Sequence, residues 1–288
     1  MTTQEKTRER SRKRSDVVYT QPKPFQRRRF LLHLATVVAV VLALVLGMAI
    51  FFKVKDVKVS GTEKYSAWDV QQASGIHQGD NLLTINKAKV AARIKTELPY
   101  VKSVRISITL PDTVNIQIEE LTVLYSVQAS DGTWWLMAAD GKVVEKITEA
   151  DAANHTKIVG VRIADPKPGH TAVAEEVQQG ETLADGETMP PVVYGSEKLQ
   201  AATAVLTELE KNGILNKMTS LDVSDIYAIR LWRGDRFLVE VGDATQLSKK
   251  ILALKAYLEE NGDHTSVVLD ISLSDSEGQY YYEPWPED

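Results

Sequence analysis

The longest feature in the hydropathy pattern is a run of nineteen uncharged residues, Leu34 to Phe52 (LATVVAVVLALVLGMAIFF). It is apolar on every face, which a helix buried in a soluble core rarely is over such a length. At about 1.5 Å rise per residue it reaches roughly 28 Å, close to the hydrocarbon thickness of a bilayer. A cleaved signal peptide would have a shorter apolar stretch with small residues at the cut. This run ends in Ile50, Phe51 and Phe52 instead, so the pattern predicts an uncleaved transmembrane signal anchor over 30–53.

Past the anchor the period changes. Val57 and Val59 alternate with Lys58 and Ser60 until Gly61, which predicts a short strand. Ser66 with Asp69 three residues on reads as a capping box for a helix that Gly75 closes. Asn86 caps a second helix, whose stripe is Val90, Ile94 and Leu98, ended by Pro99. Two strands follow, with Val104, Ile106, Ile108 and Leu110 in one and Val114, Ile116 and Ile118 in the other, turned at Pro111-Asp112. Such strict alternation places one sheet face on a core and one in water. The order β-α-α-β-β over 54–122 predicts two helices against one side of a three-stranded sheet.

Residues 123–283 alternate less regularly. Strands are predicted at 123–127, 134–138 and 142–145, with a hairpin turn at Asp140-Gly141, and another at 158–161. The stretch 165–195 is rich in Pro, Gly, Glu and Thr and reads as a long, acidic, mobile loop. A helix over 197–211, with Ser196 as its cap and Asn212-Gly213 as its stop, precedes strands at 219–223, 228–232 and 237–241. A last helix at 246–260, with stripe Leu247, Ile251, Leu254 and Leu258, leads to strands at 267–271 and 279–283. Residues 284–288 are a short tail. The fold class is therefore α+β in two exported lobes behind one helix.

Charge decides topology. Residues 1–29 hold ten Lys/Arg and three acids, a net +7, whereas the chain from residue 30 onward carries −12. Arg27, Arg28 and Arg29 abut the apolar run, so the basic tail, polar and disordered by composition, is expected in the cytoplasm and the acidic lobes outside. That position favours a topological role for the basic residues over nucleic-acid binding. The absence of cysteine rules out disulfides, thiol nucleophiles and zinc–thiolate sites.

Nothing in the pattern carries bond chemistry. The five histidines, His33, His77, His155, His170 and His264, are scattered and never spaced i,i+3 or i,i+4. No nucleophile elbow, P-loop or zincin motif occurs. Glu119 and Glu120 are adjacent, but side by side on a strand they point to opposite faces. Asp222, Asp225 and Asp243 sit at turns and read as turn formers. No cofactor, metal or small-molecule substrate is expected, and no enzymatic activity. The aromatics say more: Tyr280, Tyr281 and Tyr282 stand in a row at the end of the fold, where a terminal strand often lies at a sheet edge able to recruit a partner strand.

Four short motifs in order after the anchor carry a resemblance: V-K-V-S-G (Val57–Gly61), G-D-N-L (Gly79–Leu82), L-P-Y-V (Leu98–Val101) and L-P-D-T-V (Leu110–Val114). This segment resembles a POTRA domain of the FtsQ/DivIB cell-division family. The likeness continues through T-S-L-D-V-S-D (Thr219–Asp225), V-E-V-G (Val239–Gly242), K-K-I-L-A-L (Lys249–Leu254) and L-D-I-S (Leu269–Ser272), which resemble that family's following β domain. It implies a divisome scaffold in the cell membrane, at the septum, that supports septal peptidoglycan synthesis. The partners implied are FtsL-like and FtsB/DivIC-like bitopic proteins and a septal peptidoglycan synthase. Carried over by position, the partner contacts are Ser272, Leu273, Gly278, Gln279, Tyr280, Tyr281 and Tyr282, with Lys249 and Lys250 adding charge. Two other readings remain: a POTRA component of a transport or secretion assembly, and a signal-anchored cell-wall enzyme.

Overall fold

The computed structural model describes residues 27–176, 194–214, 217–262, 266–272 and 280–286. They fall into two units, Met1–Phe51 and Phe52–Asp288. In the first, a single helix α1 (Arg27–Phe51) runs through the apolar segment and starts three residues inside the stretch assigned to the basic tail. It is long and apolar enough to cross a membrane. The rest of the tail, residues 1–26, lies outside the described residues.

The second unit opens with the β-α-α-β-β lobe. Its elements are β1 (Asp56–Ser60), α2 (Ala67–Ser74), a 3-10 turn (Leu82–Thr84), α3 (Lys87–Glu97), β2 (Val101–Thr109) and β3 (Thr113–Glu120). The sheet order is β1-β3-β2, with β1 parallel and β2 antiparallel to β3. The Ser66–Asp69 capping box closes reciprocally: Asp69 N–H donates to Ser66 Oγ at 3.1 Å, and Ser66 N–H donates to Asp69 Oδ2 at 3.0 Å. Val70, Val90, Ile94, Val114 and Ile116 form a core of their own, built from the predicted stripes.

The second lobe is built on one ten-stranded sheet. Its strands are β4 (Tyr125–Ala129), β5 (Trp134–Met137), β6 (Val143–Ile147), β7 (Thr156–Ala164), β8 (Val173–Ala174), β9 (Ser220–Asp222), β10 (Ile229–Arg233), β11 (Phe237–Gly242), β12 (Val267–Asp270) and β13 (Tyr281–Pro284). Its helices are α4 (Glu149–Ala152), α5 (Gly195–Asn212) and α6 (Leu247–Asn261). The path is β13-β12-β11-β10-β9-β7-β4-β5-β6, with β8 on β7. Strands β11 and β12 are parallel and therefore need a crossover, which α6 provides. The buried faces of α5 and α6 share one core with the sheet through Val205, Leu206, Ile251, Leu254, Leu231 and Val239.

Two elements depart from the sequence pattern. Residues 165–176, expected as part of a structureless loop, include β8 and a bridge from Lys142 to Thr171. The remainder of that loop, 177–193, lies outside the described residues. Helix α5 starts at Gly195, with Tyr194 rather than Ser196 as its cap. The Gly195 and Ser196 amides donate to the Glu176 carboxylate, each at 2.9 Å. A carboxylate nineteen residues upstream of Gly195 thus serves the helix start, which no local motif announces.

The two lobes of this unit meet at charged contacts. Lys102 Nζ lies 2.8 Å from Glu210 Oε1, the Tyr100 hydroxyl donates to Glu145, and the Lys142 ammonium donates to the Val101 carbonyl. Lys142 is buried, and desolvation pushes its pKa down to about 8. Gly169, at φ +78°, passes so close to α3 that a Cβ there would stand 2.0 Å from the Thr96 carbonyl oxygen.

Candidate partner-binding edge

Strand β13 is one end of the ten-stranded path, paired with β12 on one side only among the described residues. Trp285 N–H donates to the Ser266 carbonyl at 3.1 Å. By the alternation of an antiparallel ladder, Tyr281 and Glu283 then also direct their backbone groups to β12. Tyr282 directs its N–H and C=O outward, as does Pro284 its C=O. Proline here loses no ladder bond, because the missing N–H would point away from the sheet.

The pleat separates the three tyrosines. Tyr280 meets Tyr257 of α6 edge-on with ring centroids 5.4 Å apart, Tyr282 meets it in a tilted contact at 5.5 Å, and the Tyr280 hydroxyl donates to Glu260 at 2.8 Å. Tyr257 is itself buried and meets Phe237 edge-on. Tyr281 projects from the opposite face and is 64% exposed. Tyr282 keeps 57% of its surface exposed despite its ring contact. Trp285 closes the strand by an edge contact with Trp232 at 5.9 Å. The edge is thus a strand clamped at both ends by aromatics and open along one side.

The charged candidates divide. Lys249 is exposed, with its ammonium 2.9 Å from Gln246 Oε1. Lys250 corrects the expectation of a charge contact. It is only 3% exposed, and its ammonium is held by Asp243 Oδ1 at 2.8 Å and the Asp243 carbonyl at 2.9 Å. Lys250, followed by Thr245, holds the Asp243 carboxyl down to about 2. A buried ammonium so engaged ties the β11–α6 turn together and presents no charge to a partner. Ser272 is half-buried, and its N–H donates to Asp270. Leu273, Gly278 and Gln279 lie outside the described residues.

A family profile described as "POTRA domain, FtsQ-type" matches residues 52–120. The chain is 24% identical to the cell division protein FtsQ of Corynebacterium glutamicum over 234 residues, 80% of this chain and 91% of the relative. It is 20% identical to the cell division protein DivIB of Clostridium acetobutylicum over 220 residues, 73% of this chain and 79% of the relative. Residues 52–120 thus match a POTRA domain of the FtsQ type, and over most of its length the chain is similar to cell-division proteins named FtsQ and DivIB. A shorter match, to FtsQ of Caulobacter vibrioides, reaches 31% over 107 residues, 37% of this chain and 34% of the relative.

Within this chain the acidic residues weighed for catalysis have structural partners. Glu120 Oε1 accepts from the Thr62 hydroxyl at 2.6 Å and from the Glu63 and Lys64 amides, and these bonds lower its pKa. Glu119, on the other face, accepts from Ser103 Oγ at 2.9 Å. No group of three or more His, Asp or Glu able to hold a metal occurs among the described residues. The platform residue Tyr257 escaped sequence reasoning, although it stands three positions after Leu254 on the same helical stripe. That spacing is the signal that could have revealed it.

Proposed function

We propose that α1 anchors this cell-division protein in the membrane with its basic end in the cytoplasm and both lobes outside. On that far side, the open edge of β13 binds an FtsL–FtsB/DivIC-type pair of bitopic proteins. The protein then acts at the septum by assembly, drawing the pair and a septal peptidoglycan synthase together without bond chemistry of its own. The observation that carries this reading is β13 itself: a strand with no partner on one flank among the described residues, with Tyr281 exposed on one face and Tyr282 half-open on the other. Edge strands of this kind recruit a partner strand through main-chain bonds, and tyrosines add contact area around them. The charge asymmetry across α1 supports the orientation.

The test is a Tyr281→Lys variant. Because the Tyr281 side chain is mostly in solvent, the fold is expected to survive while capture of the FtsL–FtsB/DivIC-type pair falls. Undiminished capture would count against the edge. A fluorescent fusion of the full chain is expected at mid-cell in dividing cells, and uniform membrane signal would remove the septal role.

A further inference from the structure

One cavity of the first lobe lies beside the point where the chain leaves α1. Phe52 follows that helix directly, and its carbonyl accepts from the Leu82 N–H at 3.0 Å. Val54 N–H donates to Asp80, Gly79 N–H donates to Val54, both at 2.8 Å, and Lys53 bridges Asn81. Residues 79–82 are therefore fastened to the first three residues after the apolar helix. Leu82 is buried in the lobe's core, but its neighbour Leu83 is 54% exposed, an apolar side chain turned outward one residue from this junction.

The cavity, of about 370 Å³, opens between α2 and α3 beside this segment, and Lys89, Arg93, Asn81, Thr84, Asn86 and Asp80 line it. Lys89 and Arg93 stand four apart on α3, hence on one helix face. Neither makes an ion pair among the described residues. The Arg93 guanidinium lies flat over Gly75, where a Cβ would come within 1.9 Å of Nη1. The left-handed glycine that closes α2, at φ +64°, therefore also makes room for that cation. The single acid, Asp80, accepts from the His77 amide at 2.9 Å. The surrounding lobe shares this bias: residues 53–122 hold ten basic and eight acidic side chains, against fourteen and twenty-eight over 123–288.

From these placements we infer that the Lys89–Arg93 cavity receives the phosphate headgroup of an anionic lipid from the bilayer that α1 crosses, with Leu83 entering the same interface. The occupant follows from charge and from place. Two cations outside any ion pair among the described residues, beside the Asn81 and Asn86 side-chain amides, match a phosphodiester, and cations near an anionic membrane surface gain from its potential. The covalent junction at Phe52 holds this end of the lobe at the membrane surface, where lipid phosphate is the most abundant anion. The inference rests on α1 being an anchor and not on the identity of the β13 partner.

The full chain is reconstituted in nanodiscs of phosphatidylcholine alone and of phosphatidylcholine with phosphatidylglycerol in equal parts, and amide exchange is followed over residues 79–90. Co-elution with the discs reports the anchor separately, and failure to co-elute would overturn anchor and site together. Exchange over 79–90 is expected to slow about tenfold in the anionic discs, the scale set by two cations at a charged surface. A Lys89→Gln/Arg93→Gln variant is expected to lose that difference while its β2–β3 amides stay protected, which separates loss of the site from loss of the fold. Equal exchange in both discs would overturn the inference. So would protection in neutral discs on adding inorganic phosphate alone, because the cavity would then be a site for a soluble anion.

Discussion

A proline at Tyr282 isolates the main-chain contribution of the β13 edge. The ladder places the Tyr282 N–H on the outer side of the strand, away from β12, while the residues on either side of it bond inward. Tyr282→Pro therefore deletes one outward donor without removing any bond between β13 and β12. It keeps an extended backbone, which proline at an edge accepts and which the preceding residue already has. In a complex formed by strand addition, the partner's carbonyl facing that position is left without a donor inside the interface. Leaving a buried acceptor unsatisfied costs about 1–3 kcal/mol, which is roughly fivefold to 150-fold in affinity. The ring is lost as well, so the reference is Tyr282→Val, which also loses the tilted ring contact with Tyr257 but retains the N–H and a β-branched side chain. Titration of the FtsL–FtsB/DivIC-type pair against the full chain in nanodiscs is expected to give Tyr282→Pro at least about fivefold weaker than Tyr282→Val. Equal affinities for the two would refute strand addition at this edge, whatever the tyrosine rings contribute.

Four further outcomes follow from buried charge and close backbone approach. Asp243→Asn takes the carboxylate from the buried Lys250 ammonium and is expected to lower stability in urea by about 1–2 kcal/mol, with Asp243→Asn/Lys250→Met recovering most of it. The Asp243 carboxyl is lowered to about 2, so its contribution is present above the ordinary carboxylate pKa and disappears as pH falls from about 4 toward 2. At 44% side-chain exposure that contribution amounts to about 1 kcal/mol in an acid titration of stability. Lys142 shows the opposite sign. Burial lowers its pKa to about 8, so the unfolded chain binds the extra proton above that value and stability is expected to rise between about pH 8 and 10, a slope that Lys142→Met abolishes. Gly169→Ala forces a Cβ against the Thr96 carbonyl at a left-handed backbone and is expected to cost at least about 2 kcal/mol, read as a lower melting temperature.

Much of this architecture follows from local patterns. An uncharged run of nineteen residues, apolar on every face, has the length and composition of a membrane-crossing helix by its local sequence alone. The Ser66–Asp69 box, the Val90–Ile94 stripe and the alternation from Val104 to Ile118 define the first lobe because each is a short-range rule that its own residues satisfy. Three tyrosines before the C-terminus were equally legible as a candidate edge.

Sequence reading could not tell which tyrosine faces which way, or which of two adjacent lysines is buried. Both depend on partners distant along the chain. Tyr280 and Tyr282 turn inward because β13 lies beside α6, where Tyr257 waits more than twenty residues upstream, and Tyr281 turns outward by the pleat. Lys250 is buried because the β11–α6 crossover brings Asp243 over it, whereas Lys249, one residue and about 100° around the helix, stays in water. Local sequence sets the period and the caps of an element. Which face of it meets water is decided by what packs there, and only the assembled sheet and its crossovers supply that.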